Sequence, residues 1–183
     1  FTFLKKDDTK QPIDTILSCL YKAGEIAKNT GITLAIENCR KTSMTTGQEL
    51  IELFQNLDCN IFSVLWDPAN SQFSRLDPAP VKNGFPKIAD FVSHIHIKDP
   101  FVPVTGESRY VCLGKGNMDI KGQIVASKER NYDWRANRIL NIAEFDYTGG
   151  NSFSKNGYEA TESDLIYMKK LFEETNEIKE NMP

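Results

Sequence analysis

Four short apolar segments recur along this 183-residue chain: ITLAIE (32–37), IFSVLWD (61–67), FVSHIHIKD (91–99) and RILNIAEF (138–145). Runs of this kind suit strands buried by helices, and sequence with helical spacing lies between or beside them. QPIDTILSCLYKAGEIAKNTG places Ile13, Ile16, Leu17, Leu20 and Ile26 at helical spacing, with Pro12 fit for a first turn and Gly31 for the stop. TTGQELIELFQNL sets Leu50, Leu53, Phe54 and Leu57 on one side of a second helix. Pro78, Pro80, Gly84 and Pro86 keep any helix between Asp77 and Asp90 short or broken. A third helix is expected around Ile120 to Arg130, and a charged final one from Glu162 to Lys179 after the surface loop TGGNSFSKNG. FTF at the start reads as an extra strand. Strands alternating with helices predict an α/β fold with a parallel sheet and crossover helices.

The polar residues of these segments fall in one place. Glu37, Asp67 and Glu144 sit at the C-terminal ends of their strands, and His96 near the end of its own. Asp67 follows Glu37 by 30 residues and His96 follows Asp67 by 29, about one β/α unit each. Glu144 follows after 48, because VPVTGESRYVCLGKGN intervenes. In a parallel α/β barrel all four ends lie on one face. Side chains alternate along a strand, so His94, His96 and Lys98 point one way and Ile95, Ile97 and Asp99 the other. Both of the chain's histidines thus share one face. Three carboxylates gathered without a cation would repel one another, and a divalent ion removes that cost. Two Glu, one Asp and one His form an oxygen and nitrogen shell suited to one ion of Mn²⁺, Mg²⁺, Co²⁺ or Zn²⁺.

LAIEN, VLWDPAN, HIHIKD, GKGNMD and NIAEF, in that order, resemble the xylose isomerase-like TIM barrel superfamily, the group of sugar phosphate isomerases/epimerases and AP endonuclease family 2. The resemblance implies that Glu37, Asp67, His96 and Glu144 are the metal ligands. Asn70 then stands where many members carry a substrate-contacting histidine, and His94 and Lys98 line the pocket. It further implies a metal-dependent isomerase or epimerase acting on a small keto-sugar or polyol, with Glu37 and Glu144 removing and returning a proton through an enediolate. Such barrels take roughly 250 residues and eight strands. Residues 1–183 are therefore expected to be one domain, the C-terminal half of a barrel, about strands four to eight. The N-terminal half would come from the same or another chain, and a homo-oligomer is possible. The start at FTFLKK, without methionine, agrees with a fragment or processed product.

Composition narrows the alternatives. A net charge of −3 offers no general attraction to nucleic acid. An AP endonuclease would need several histidines beyond the two present. A non-catalytic carbohydrate-binding protein is the other alternative, permitted by Asn70 in place of histidine. No apolar run reaches the roughly 18–20 residues that span a membrane. Four scattered cysteines suit reduced thiols in the cytoplasm. Gly114–Lys115–Gly116 lacks the spacing of a phosphate loop and reads as a tight turn at the pocket rim, with Lys115 in reach of a substrate phosphate. Phe62 and Trp66 read as packing residues, and nothing marks Cys39 or Cys112 as a nucleophile.

Overall fold

A computed structural model of the chain describes residues 13–40, 42–132 and 157–180. The expected strand at FTF, Pro12, the fourth strand at 138–145 with Glu144, and the loop that follows it up to residue 156 lie outside the described residues. The chain divides into two compact units, residues 1–95 and 96–183.

In the first unit, α1 (Ile13–Thr30) buries Ile16, Leu17, Leu20 and Ala27. Gly31 ends it at φ 68°, and the Ile32 N–H donates to Ala27 O at 3.0 Å, so the last turn closes with a left-handed stop. Ile32 therefore serves the end of the helix, and the first strand, β1 (Leu34–Glu37), starts two residues later than the apolar run suggests. Ile26, read as part of the buried stripe, is 67% exposed because it lies off the line through Ile16, Leu20 and Ala27. The next helix, α2 (Gly47–Phe54), opens with a capping box: Glu49 N–H donates to Thr46 Oγ1, and Glu49 Oε2 accepts from Thr46 N–H at 2.9 Å. Its first residue must be small, since a Cβ on Gly47 would lie 2.5 Å from the carbonyl oxygen of Gly84.

Strands β2 (Phe62–Trp66) and β3 (Val92–Ile95) join β1 in a three-stranded sheet, order β1-β2-β3, with both pairings parallel. Ile36, Val64, Trp66 and Ile95 pack one face into the core, while Ala35, Ser63, Leu65 and His94 on the other are half-buried. Val64 pairs with Val92 but Leu65 pairs with His94, so Ser93 is an extra residue, a bulge that the alternation rule did not foresee. Ser93 Oγ bonds Ser63 Oγ and His94 Nδ1, each at 2.8 Å. Three short α-helices and a 3-10 turn (Ala89–Phe91) lie between β2 and β3, the α-helices being α3 (Pro68–Phe73), α4 (Pro80–Asn83) and α5 (Phe85–Ile88). The last two are four residues each, as expected of a helix between Asp77 and Asp90 that is short or broken, and Pro86 lies in the first turn of α5. Sequence reading passed over α3.

The second unit begins within the expected third strand, at His96. FVSHIHIKD does not run straight through: β3 stops at Ile95, and Asp99–Phe101 forms β4, paired antiparallel with β5 (Arg109–Val111). The hairpin thus starts at the end of what was read as the third strand, and its second strand lies within what was read as a long loop. Among the described residues two helices follow, α6 (Ile120–Glu129) and α7 (Gly157–Glu180); Asp119 caps α6 by accepting from the Gly122 N–H. Ile120, Ile124, Met168 and Leu171 are buried, and Lys121 pairs with Glu174 at 2.7 Å. Among the described residues no helix is long and apolar enough to cross a membrane.

Candidate metal centre

Each strand of the parallel sheet delivers one polar group at its C-terminal end. β1 ends in Glu37, Asp67 directly follows β2, and His96 follows β3 with only Ile95, the strand's last residue, before it. The register explains their grouping: Glu37 pairs with Leu65, and Leu65 with His94, so residues two positions further on from Leu65 and His94 return to the same face. Without the bulge at Ser93 the parity of β3 would be reversed relative to β2 and His96 would face the core. One ligand atom from each of Glu37, Asp67 and His96 lies within 4.8 Å of the other two. Ligands about 2.0–2.2 Å from a common ion stand up to about 4 Å apart, so small side-chain shifts suffice for chelation. The donor set, two carboxylates and an imidazole, fits a divalent cation: Asp67 is fully buried and His96 6% exposed, an environment that favours a compensating positive charge. Glu144, the fourth expected ligand and second expected base, lies outside the described residues.

Asp67 is held from both ends. Its side chain is the N-cap of α3, with Oδ1 accepting the Asn70 N–H at 3.0 Å and Oδ2 accepting Asn70 Nδ2 at 2.9 Å. Pro68 fits the first helical turn, which explains why Asp-Pro-Ala-Asn folds as it does. Asn70 is buried, and its Nδ2 also donates to Asn38 O at 2.9 Å and reaches Glu37 Oε1 at 3.5 Å. The residue expected to meet substrate is thus bonded to two of the candidate ligands. Near it, the Arg40 guanidinium stacks over the Phe73 ring at 4.3 Å. His94 is half-buried on β3 beside Ser93, and Lys98 is buried with Nζ 5.9 Å from the centre of the Tyr110 ring.

In the second unit a second carboxylate shapes the glycine-rich loop. Asp99 Oδ2 accepts from the N–H groups of Gly114 (2.8 Å) and Gly116 (2.9 Å), and Oδ1 from Met118 (3.1 Å). These amides would otherwise form an anion nest; Asp99 fills it from within, in accord with the expectation that GKG is no phosphate loop. Burial pushes the Asp99 carboxyl above its ordinary 3.8, against the pull of the Gly116, Met118, Gly114 and Lys115 N–H groups. Gly114 takes φ 81° and lies against the Tyr167 ring, where a Cβ would come within 2.5 Å. Asp164 on α7 is fully buried and accepts from the Leu113 N–H at 2.8 Å. Its pKa is raised by burial, and further by the charge of Asp99.

A carboxyl whose folded pKa is raised gives stability that is complete below 3.8 and is lost as pH rises through the folded value. Asp164→Asn, which cannot ionise, is expected to gain on the native protein as pH rises from about 4 to about 7. Urea midpoints measured across that range check this, and a constant difference would contradict it. The Cys112 thiol, raised by burial and then by Asp164, is expected to be alkylated faster in the same variant.

Sequence reading missed Asn38 and the clamp made by Asp99. The signals were present as an amide directly after a strand-end acid and an acid at the end of an apolar run, ahead of a glycine-rich turn.

Comparison with known proteins decides the family. Residues 2–137 match the xylose isomerase-like TIM barrel family. This chain belongs to that family. A xylose isomerase domain protein from Planctomyces limnophilus superposes with a TM-score of 0.71 at 18% identity, over 95% of this chain and 57% of that one. An L-ribulose 3-epimerase superposes at 0.72 and 15% identity, over 100% and 62%. A xylose isomerase-like TIM barrel protein from Mycobacterium smegmatis, in complex with magnesium, superposes at 0.65 and 18% identity, over 94% and 55%. The chain thus spans 55–62% of the length of these structures. No curated protein matches the sequence. The fold is α/β of the TIM-barrel type, and among the described residues its parallel strands form an open sheet.

Proposed function

We propose that this xylose isomerase-like chain is part of a divalent-metal-dependent sugar isomerase or epimerase, with Glu37, Asp67, His96 and Glu144 as ligands of one ion. The observation that carries the reading is the approach of Glu37, Asp67 and His96 to within 4.8 Å at the ends of three adjacent strands. The fold neighbours support the class, since one is an L-ribulose 3-epimerase and another was solved with magnesium. When bound, the ion supplies a positive charge that acidifies the C–H bond between a carbonyl and a neighbouring hydroxyl. The rest falls to the protein. Glu37, half-buried at the end of β1, takes the proton from that carbon, and Glu144 returns one. Asp67 stays fixed as a ligand through its bonds to Asn70. His94, Asn70 and Lys98 contact sugar hydroxyls. On this reading residues 1–183 work as one portion of a single barrel in a soluble cytoplasmic enzyme, completed by the same or another chain.

The test uses the full-length protein. Elemental analysis after equilibration with Mn²⁺, Mg²⁺, Co²⁺ or Zn²⁺ is expected to give one ion per site, and ketoses in deuterated water are expected to gain deuterium next to the carbonyl. Metal uptake without exchange on any ketose would leave a carbohydrate-binding protein; no uptake would remove the metal reading.

A further inference from the structure

Past Glu37 and Trp66 the ladder between β1 and β2 ends, yet the next residue of each strand remains joined. Asn38, fully buried, bonds Asp67 with both ends of its side-chain amide: Oδ1 accepts the Asp67 N–H at 2.7 Å, and Nδ2 donates to Asp67 O at 2.6 Å. Asp67 is extended (φ −119°, ψ 90°), a conformation that turns its N–H and C=O toward the same edge. A primary amide offers one acceptor and one donor side by side, so it matches that edge as a backbone rung would. Nδ2 also meets Thr45 O at 3.0 Å and Ser71 Oγ at 3.2 Å, tying in the approach to α2 and the body of α3. The backbone of the same residue accepts from Asn70 Nδ2 at 2.9 Å, the amide that holds the Asp67 carboxylate.

We infer that Asn38 is a positioning residue for the metal site: by gripping the Asp67 peptide it fixes where that carboxylate stands relative to Glu37. The inference rests on the metal-site reading above. No other side chain of this size serves. Aspartate keeps the acceptor for the Asp67 N–H but sets a second oxygen against Asp67 O and Thr45 O. Serine reaches neither group with the same pairing. Glutamine carries the amide one methylene too far. Asp67 itself is left with the same composition and cap in each variant, and Asn38→Ser adds no charge, so its change in metal affinity reports the position of that carboxylate.

The experiment compares Mn²⁺ binding by the native full-length protein, freed of metal by chelation, with that of Asn38→Asp, Asn38→Ser and Leu53→Ala. Leu53 is fully buried in α2 and its apolar side chain offers no bond to Asp67, so its truncation is expected to lower stability without removing any hydrogen bond of the site. The Asn38 variants are expected to lose about 10- to 100-fold in Mn²⁺ affinity, the usual cost of removing a group that orients a ligand. Leu53→Ala is expected to bind as the native protein does. Native-like affinity in folded Asn38 variants would overturn the inference and leave the enzymatic reading intact. An equal loss in Leu53→Ala would assign the effect to stability and also overturn it. A native protein that binds no Mn²⁺ or other divalent ion would remove the reading and the inference together. Should neither Asn38 variant fold, the native protein decides. Its Asn38 side-chain amide resonances are expected to shift during Zn²⁺ titration in step with occupancy, and resonances that stay still would refute the coupling.

Discussion

Glu37→Gln in the full-length protein is expected to lower turnover by at least about 1,000-fold, because one substitution removes both a proposed base and a proposed metal ligand. Glutamine keeps the length of the side chain and an oxygen for the weak approach of Asn70 Nδ2, 3.5 Å away in the native protein. It loses the charge and the ability to hold a proton at neutral pH. Packing should change little, since Glu37 is half-buried at a strand end. The melting temperature of the metal-free protein is therefore expected to stay close to native while kcat falls, and Mn²⁺ affinity falls with it. Steady-state kinetics on a ketose that exchanges deuterium gives the first number, and metal titration the second. A variant turning over near the native rate would sink the scheme in which Glu37 and Glu144 share the proton.

The largest loss of stability is expected from Trp66→Ala. Trp66 closes β2, is fully buried, and comes so near the turn between α4 and α5 that a Cβ on Gly84 would lie 3.0 Å from its ring. The surroundings are built around the indole and are backed by a backbone that has no side chain to move into the gap. Truncation removes the largest buried apolar group of the sheet and leaves a cavity, at a cost of about 4 kcal/mol. For a protein of this size that corresponds to a melting temperature lower by about 10 °C. Trp66→Phe, which keeps much of the volume, is expected to lose less than half as much. Trp66 directly precedes Asp67 in the chain, so a backbone shift into the cavity is expected to weaken metal affinity as well. Thermal unfolding followed by circular dichroism checks the ranking, and equal losses in the two variants would show that the ring's size is not what matters.

Much of this was legible in the chain itself because it is local. Apolar runs ending in Glu37, Asp67 and His96 mark strands whatever surrounds them, Gly31 stops a helix by its positive φ, and the prolines between Asp77 and Asp90 keep the helices there short. The breaks fell as expected, and the three polar groups stand together. What could not be read locally depended on partners elsewhere. Ile32 looks like strand, yet its N–H closes the end of α1. The long run through His96 and Lys98 looks like one strand, but it leaves the parallel sheet after Ile95, and Asp99 starts a hairpin and gathers the amides of the glycine-rich turn that follows it. The short helix after Asp67 is too brief to show a period, and its cap identifies it only once Asn70 is seen to bond back.

By sequence alone, then, the chain determined which residues carry charge and imidazole, and at which strand ends they fall, because side-chain chemistry and alternation are properties of neighbours along the chain. Whether they converge was decided by tertiary structure. The parallel register, the bulge at Ser93 that resets the parity of β3, and the grip of Asn38 on the Asp67 peptide each join residues about 30 positions apart. Hydrogen bonds across such separations depend on how the strands pack, which no local pattern encodes.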